Sequence, residues 1–133
     1  MATKSYGFEK RIDGQDFDAV LARTVEALRG EGFGVLTEID VKATLRKKLD
    51  ADFRRYVILG ACNPHLAHQA LLAEPQLGLL LPCNAVVQEG LDGGIVVSVI
   101  DPGAMFAVVG NPAMTPVAAD VAAKLRRVLA AIG

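Results

Sequence analysis

The junction Asn63-Pro64 constrains this chain more than any other stretch. An apolar run over Tyr56-Val57-Ile58-Leu59, inside a strand expected over 54–61, meets a residue that caps helices and then one that opens them. The strand therefore passes into a helix at about Pro64 with no loop between them. Asp101-Pro102 repeats the device after a second apolar run, Ile95 to Ile100, and Thr115-Pro116 opens a last helix. Such punctuation belongs to a chain in which strands and helices alternate.

The remaining elements follow from periodicity. Residues 6–12 alternate weakly and read as a first strand, closed by Asp13-Gly14. Phe17, Val20, Leu21, Val25 and Leu28 recur at helical spacing, with Asp16 as cap and Gly30 or Gly32 as the stop. A second strand is expected over 33–40, and Asp40 then caps a short helix over 41–49. A fourth strand is expected over 79–89. Pro82 within it cannot donate to a ladder, which implies an edge or a bulge there. Gly90 to Gly94 is the turn of a hairpin leading to the fifth strand, 95–100.

This order gives an α+β class: two layers, a ferredoxin-like split βαβ core of about five strands, with an extra strand and a C-terminal helix appended. It is expected as a single domain over residues 1–133. In the split order a further strand separates the third from the fourth, and the longer helices share one face of the sheet. The other face is left bare, and it is the expected homodimer surface.

Composition narrows the function classes. Apolar residues make up 52% of the chain, aromatic residues 5%, and there is no Trp. Such a core suits packed sheet and helix and argues against a base-stacking surface. Fourteen basic and fifteen acidic side chains leave a net charge of −1. There is no global pull toward nucleic acid or anionic lipid, and neither is expected as a partner. No apolar run approaches the ~20 residues of a membrane-spanning helix. The start of the chain lacks the long apolar stretch of a signal peptide, so a soluble, cytoplasmic protein with reduced thiols is expected.

The candidate site is the doubled pair Cys62-Asn63 and Cys83-Asn84, which holds both cysteines of the chain. Cys62 precedes a capped helix start, where unpaired N–H groups favour negative charge. That points to a small polar or anionic ligand bound by Cys62, Asn63, Cys83 and Asn84. A helix end alone is worth ~0.3–1 kcal/mol, less than one pKa unit, so it does not by itself make Cys62 a nucleophile. One alternative is a thiol-based redox enzyme or sensor, or a metal-binding protein, using Cys62 and Cys83; another is a structural homodimer or protein-interaction module. The split order sets the two cysteines ~9–10 Å apart, beyond a disulfide.

Other groupings are weaker. Cys62, His65, His68 and Cys83 do not reproduce a zinc spacing, so no metal and no cofactor is expected. Glu38 and Asp40 could act as a carboxylate pair, but Asp40 is more simply a cap and Glu38 a surface residue. Lys42, Arg46, Lys47, Lys48, Arg54 and Arg55 are interleaved with Asp50 and Asp52 and read as a solvated face.

Several stretches together resemble the prokaryotic domain-of-unknown-function family 302. They are Glu31-Gly32-Phe33 leading to Ile39-Asp40-Val41, the run Ile58 to Pro64, Ala67 with Ala70-Leu71, the run Gly78 to Asn84, and Asp101-Pro102 with Met105. The resemblance spans nearly the whole chain. It implies a compact α+β domain, commonly dimeric, with no established activity and no catalytic residue to carry over. The family pattern does not call for histidine at positions 65 and 68.

Overall fold

The structure is a computed structural model that describes residues 2–4 and 6–133, with side chains from Tyr6 onward. Among the described residues the six strands are β1 (Ala2–Lys4), β2 (Gly7–Ile12), β3 (Gly34–Asp40), β4 (Tyr56–Cys62), β5 (Cys83–Glu89) and β6 (Ile95–Ile100). The five helices of the described residues are α1 (Phe17–Gly30), α2 (Val41–Leu49), α3 (Pro64–Ala73), α4 (Pro102–Val109) and α5 (Thr115–Ala131). Short 3-10 turns, Pro75–Leu80 and Pro112–Met114, follow α3 and α4.

The starts of α1, α2, α3 and α4 obey the caps written in the sequence. The side chains of Asp16, Asp40, Asn63 and Asp101 accept from the N–H groups of Ala19, Ala43, Leu66 and Gly103. Each satisfies one of the donors that a helix leaves unpaired at its start. Helix α1 stops at Glu31, and Gly32 takes up the left-handed φ of 85° that turns the chain into Phe33.

All strand pairs are antiparallel, in the order β1-β2-β6-β5-β4-β3. The α+β class, the split first unit and the C-terminal helix stand as expected. The width of the split differs. Helix α1 links β2 to β3, whose directions are parallel, and three strands (β6, β5 and β4) lie between them. The strands on either side of α3, by contrast, are immediate neighbours: Ala61 of β4 faces Cys83 of β5. The expected intervening strand is absent because α3 returns the chain antiparallel beside the strand it left, which requires no crossover. The ~9–10 Å separation of the cysteines falls with it. Nor does Pro82 mark an edge or a bulge. The segment expected to begin the fourth strand is the 3-10 turn Pro75–Leu80, and β5 starts at Cys83, between β4 and β6.

Alternation fixes the two faces of the sheet. Val57, Leu59 and Ala61 of β4, Ala85 and Val87 of β5, and Ile95, Val97 and Val99 of β6 point into the main core. There they meet Val20 and Leu28 of α1 and Val121, Leu125, Val128 and Leu129 of α5. A second cluster joins α3 to α4 and α5 through Ala70, Leu77, Phe106, Met114 and Ala118. The opposite face presents Ile39, Ile58, Val86 and Val96, which belong to neither cluster. The C-terminal end of α5 is tied down by Lys10 of β2, whose Nζ donates to the carbonyl oxygens of Leu129, at 3.2 Å, and Ile132.

Candidate functional site

Helix α3 and the 3-10 turn after it form an excursion between two adjacent strands, and a cavity of about 320 Å³ lies beneath that excursion. Its floor is the end of the sheet, at Phe33, Leu36, Ala61, Cys62 and Cys83. Leu66, Ala67, Ala70 and Leu71 of α3 form one wall, and Gly78, Leu81 and Pro82 another. Phe106 of α4 and Val117 and Val121 of α5 close the far side. None of the described residues that line it carries a charged side chain. Its volume is about twice the ~150 Å³ of an apolar cavity that takes up benzene.

Three of the four expected site residues meet here. Cys62 and Cys83 both face the cavity, and both are free thiols. Asn63 stands at the rim in a fixed pose. Its Oδ1 accepts from Leu66 N–H at 3.3 Å, and its Nδ2 lies 3.5 Å from the Glu31 carbonyl oxygen. Gly32 permits that approach, since a Cβ there would stand 3.0 Å from Asn63 Nδ2. Asn84, one residue beyond Cys83, faces Gly60 on the opposite side of the sheet, is exposed, and does not line the cavity.

The electrostatics of the site are those of an apolar pocket. Burial, followed by the neighbouring Cys62, pushes the Cys83 thiol up to about 11, so Cys83 holds its proton at neutral pH. That is opposite to the depressed pKa of a reactive cysteine. The start of α3 has little left to offer an anion. Pro64 has no N–H, Leu66 donates to the Asn63 side chain, and Ala67 donates to the Asn63 carbonyl at 2.8 Å. Only the His65 N–H of the first turn remains.

The other candidates separate. His65 and His68 are exposed on α3, and among the described residues no three His, Cys, Asp or Glu side chains come together. Asp40 spends its carboxylate on the α2 cap, and Glu38 lies exposed on β3. Much of the basic cluster is paired within the molecule. Arg46 meets Asp50 and Asp52, Arg55 meets Asp18, and Arg54 binds Gln88 and stacks over Phe53 at 4.5 Å. No described helix is long and apolar enough to cross a membrane.

Sequence reasoning found the strand-end wall of the cavity and missed the rest. Phe106, Val117 and Val121 read as ordinary buried faces of their own helices. Nothing local marks them as pocket walls, because the cavity exists only once α4 and α5 pack across α3.

Comparison with known proteins agrees with this architecture. None of the curated proteins compared matches the chain. A solved structure, the crystal structure of an uncharacterized conserved protein DUF302 from Bacillus stearothermophilus, superposes with a TM-score of 0.89 at 28% identity, over 98% of this chain and 100% of that one. The family model described as "Domain of unknown function DUF302" matches residues 8–132, and the chain belongs to that family.

Proposed function

We propose that this domain binds a small amphiphilic molecule in the cavity beneath α3, with the apolar body inside and one polar or anionic group at the Cys62-Asn63 rim. The observation that supports it is the chemistry of the wall: apolar side chains throughout, two thiols and one amide, and no charge. Pockets for small ligands combine such a lining with a few placed polar groups. A fully ionic ligand would lose its hydration here without a counter-charge, whereas a short acyl or aromatic body gains by burial.

Thermal-shift measurements with short-chain acids, small aromatic acids and inorganic phosphate or acetate test the reading. Compounds with an apolar body are expected to stabilise the protein, by about 2.7 kcal/mol at a hundred-fold excess over Kd. Phosphate and acetate are expected to do nothing. In an Ala67→Phe variant, whose ring fills the cavity, the shifts disappear. Absence of stabilisation by every apolar-bodied compound would remove the proposal.

A second reading concerns the open face of the sheet. Ile39, Ile58 and Val86 lie in register across β3, β4 and β5 and belong to neither core cluster; Ile39 is 46% exposed. An apolar stripe of this kind suits a second copy of the chain. Light scattering is expected to give a dimer mass for the wild type and a monomer mass for Ile58→Glu. A wild-type monomer at micromolar concentration overturns this reading.

A further inference from the structure

We propose that the cavity selects neutral carbonyl compounds (amides, esters, aldehydes or undissociated acids) over the corresponding anions, with the Asn63 side-chain amide donating to the carbonyl oxygen. The inference rests on the reading that the cavity takes an apolar body, and it narrows the polar group that accompanies that body.

The lining leaves one polar side chain to work with. Among the described residues that line the cavity, Asn63 alone carries a side-chain nitrogen or oxygen. Its Oδ1 is spent on the Leu66 N–H at 3.3 Å. Its Nδ2 carries two N–H groups. The Glu31 carbonyl oxygen, its one partner among the described residues, stands 3.5 Å away, at the limit of a hydrogen bond. The rim therefore offers a donor and asks for an acceptor. Ammonium groups, which only donate, find no partner on this amide, whereas a carbonyl oxygen does. The thiols of Cys62 and Cys83 add weak donors and weak acceptors only.

Charge decides between a neutral acceptor and an anion. The stretch from Tyr56 to Ala123 contains no Lys or Arg, and it supplies all of the lining except Phe33 and Leu36. The charged groups on the surrounding elements are engaged elsewhere or exposed. Glu31 pairs with Arg127 at 2.9 Å and Asp120 with Lys124 at 3.2 Å. Glu74 accepts from Asn111, and Asp101 caps α4. Glu38 of β3 and the histidines of α3, His65 and His68, are exposed. None of these side chains lines the cavity. An anion inside meets no counter-charge and gives up its hydration. Cys83 gauges the cost, since burial, with Cys62 beside it, raises its thiol from 9.0 to about 11. A carboxyl group raised by as much from its ordinary ~4.3 would titrate near ~6 once bound, and would enter as the acid.

The test is calorimetric titration of the whole chain with hydrocinnamamide and hydrocinnamic acid. The two have the same shape, and their body is about twice the size of benzene, as the cavity is. At pH 7 the amide is expected to bind at least about thirty-fold more tightly than the acid. From pH 7 to pH 5 the acid is expected to gain about ten-fold, as its neutral fraction grows, while the amide stays level. The His65→Ala/His68→Ala variant is expected to keep that difference. Asn63→Asp and Asn63→Ser both retain an acceptor for the helix cap and lose the amide nitrogen. Each is expected to bind hydrocinnamamide about five- to ten-fold more weakly, the worth of one hydrogen bond. Equal affinity for acid and amide across this range overturns the selectivity and leaves the apolar cavity reading standing. Loss of the pH dependence in the histidine variant assigns it to those side chains and overturns the inference too. Undiminished amide binding in both Asn63 variants overturns the role of Asn63. Binding of neither compound by the wild type overturns this inference together with the reading beneath it.

Discussion

Ala61 of β4 faces Cys83 of β5 across the ladder, which puts the Cys83 thiol on the helix-covered side of the sheet, against the main core. Much of the behaviour of the site follows from that pairing, because Cys83 inherits the low polarity of the core.

The Cys83 thiol should make stability fall at alkaline pH. Its pKa rises from 9.0 to about 11 on folding, so between these values the unfolded chain has released a proton that the folded one keeps. The contribution is fully present below pH 9 and is lost as the pH climbs to about 11. Its size is on the order of 3 kcal/mol, two units at 1.36 kcal/mol per unit. Urea denaturation of metal-free protein from pH 8 to 11.5 should show a steeper decline for wild type than for Cys83→Ala. Parallel curves for the two would remove the assignment.

Asn63 is expected to matter for stability through its cap. Asn63→Ala removes the acceptor for the Leu66 N–H and should cost about 1 kcal/mol. Asn63→Asp retains an acceptor at the same place and should recover most of the loss. Chemical denaturation of the three proteins reads both effects.

Gly60 is required by close approach, not by its backbone angle. A Cβ at this position would overlap Thr37 Oγ1 and come within 2.9 Å of Pro82 Cγ. Gly60→Ala should therefore destabilise by roughly 1–3 kcal/mol. Adding Thr37→Ala, which removes the nearer obstacle, should restore part of it. A double-mutant cycle measures that coupling, and strict additivity would contradict the packing described.

Lys10 holds the end of α5 by donating to the carbonyl oxygen of Leu129, which also accepts from the Ile132 N–H at 3.3 Å, and to that of Ile132 just past the helix. Lys10→Met keeps the stem and removes the donor. It should cost about 1.5 kcal/mol, within the range for hydrogen bonds to a charged group. Hydrogen exchange of the last turn of α5 should rise with it.

Most of the fold was written in local signals. Asp16, Asp40, Asn63 and Asp101 announce four helix starts, and Gly90 to Gly94 a hairpin. What could not be read was the strand order, because a helix between two strands looks the same whether the chain crosses the sheet or turns back beside itself. Asn63-Pro64 marks the exit from β4 and is silent about where Cys83 re-enters. The same ambiguity hid half of the site: Cys62, Asn63 and Cys83 come together, Asn84 turns away, and the apolar walls come from helices distant in sequence. Pro82 misled for a related reason. It stands just outside β5, where a missing N–H costs the ladder nothing.

The placement of the cavity has a bearing on how such a domain diversifies. Strands β4 and β5 are adjacent and antiparallel, so a tight turn could join them, yet residues 63–82 intervene and roof the pocket. A segment of that kind can be lengthened, shortened or reshaped while the ladder beneath keeps its pairing. Foldability thereby resides in the sheet, and the shape of the pocket in the segment laid over it.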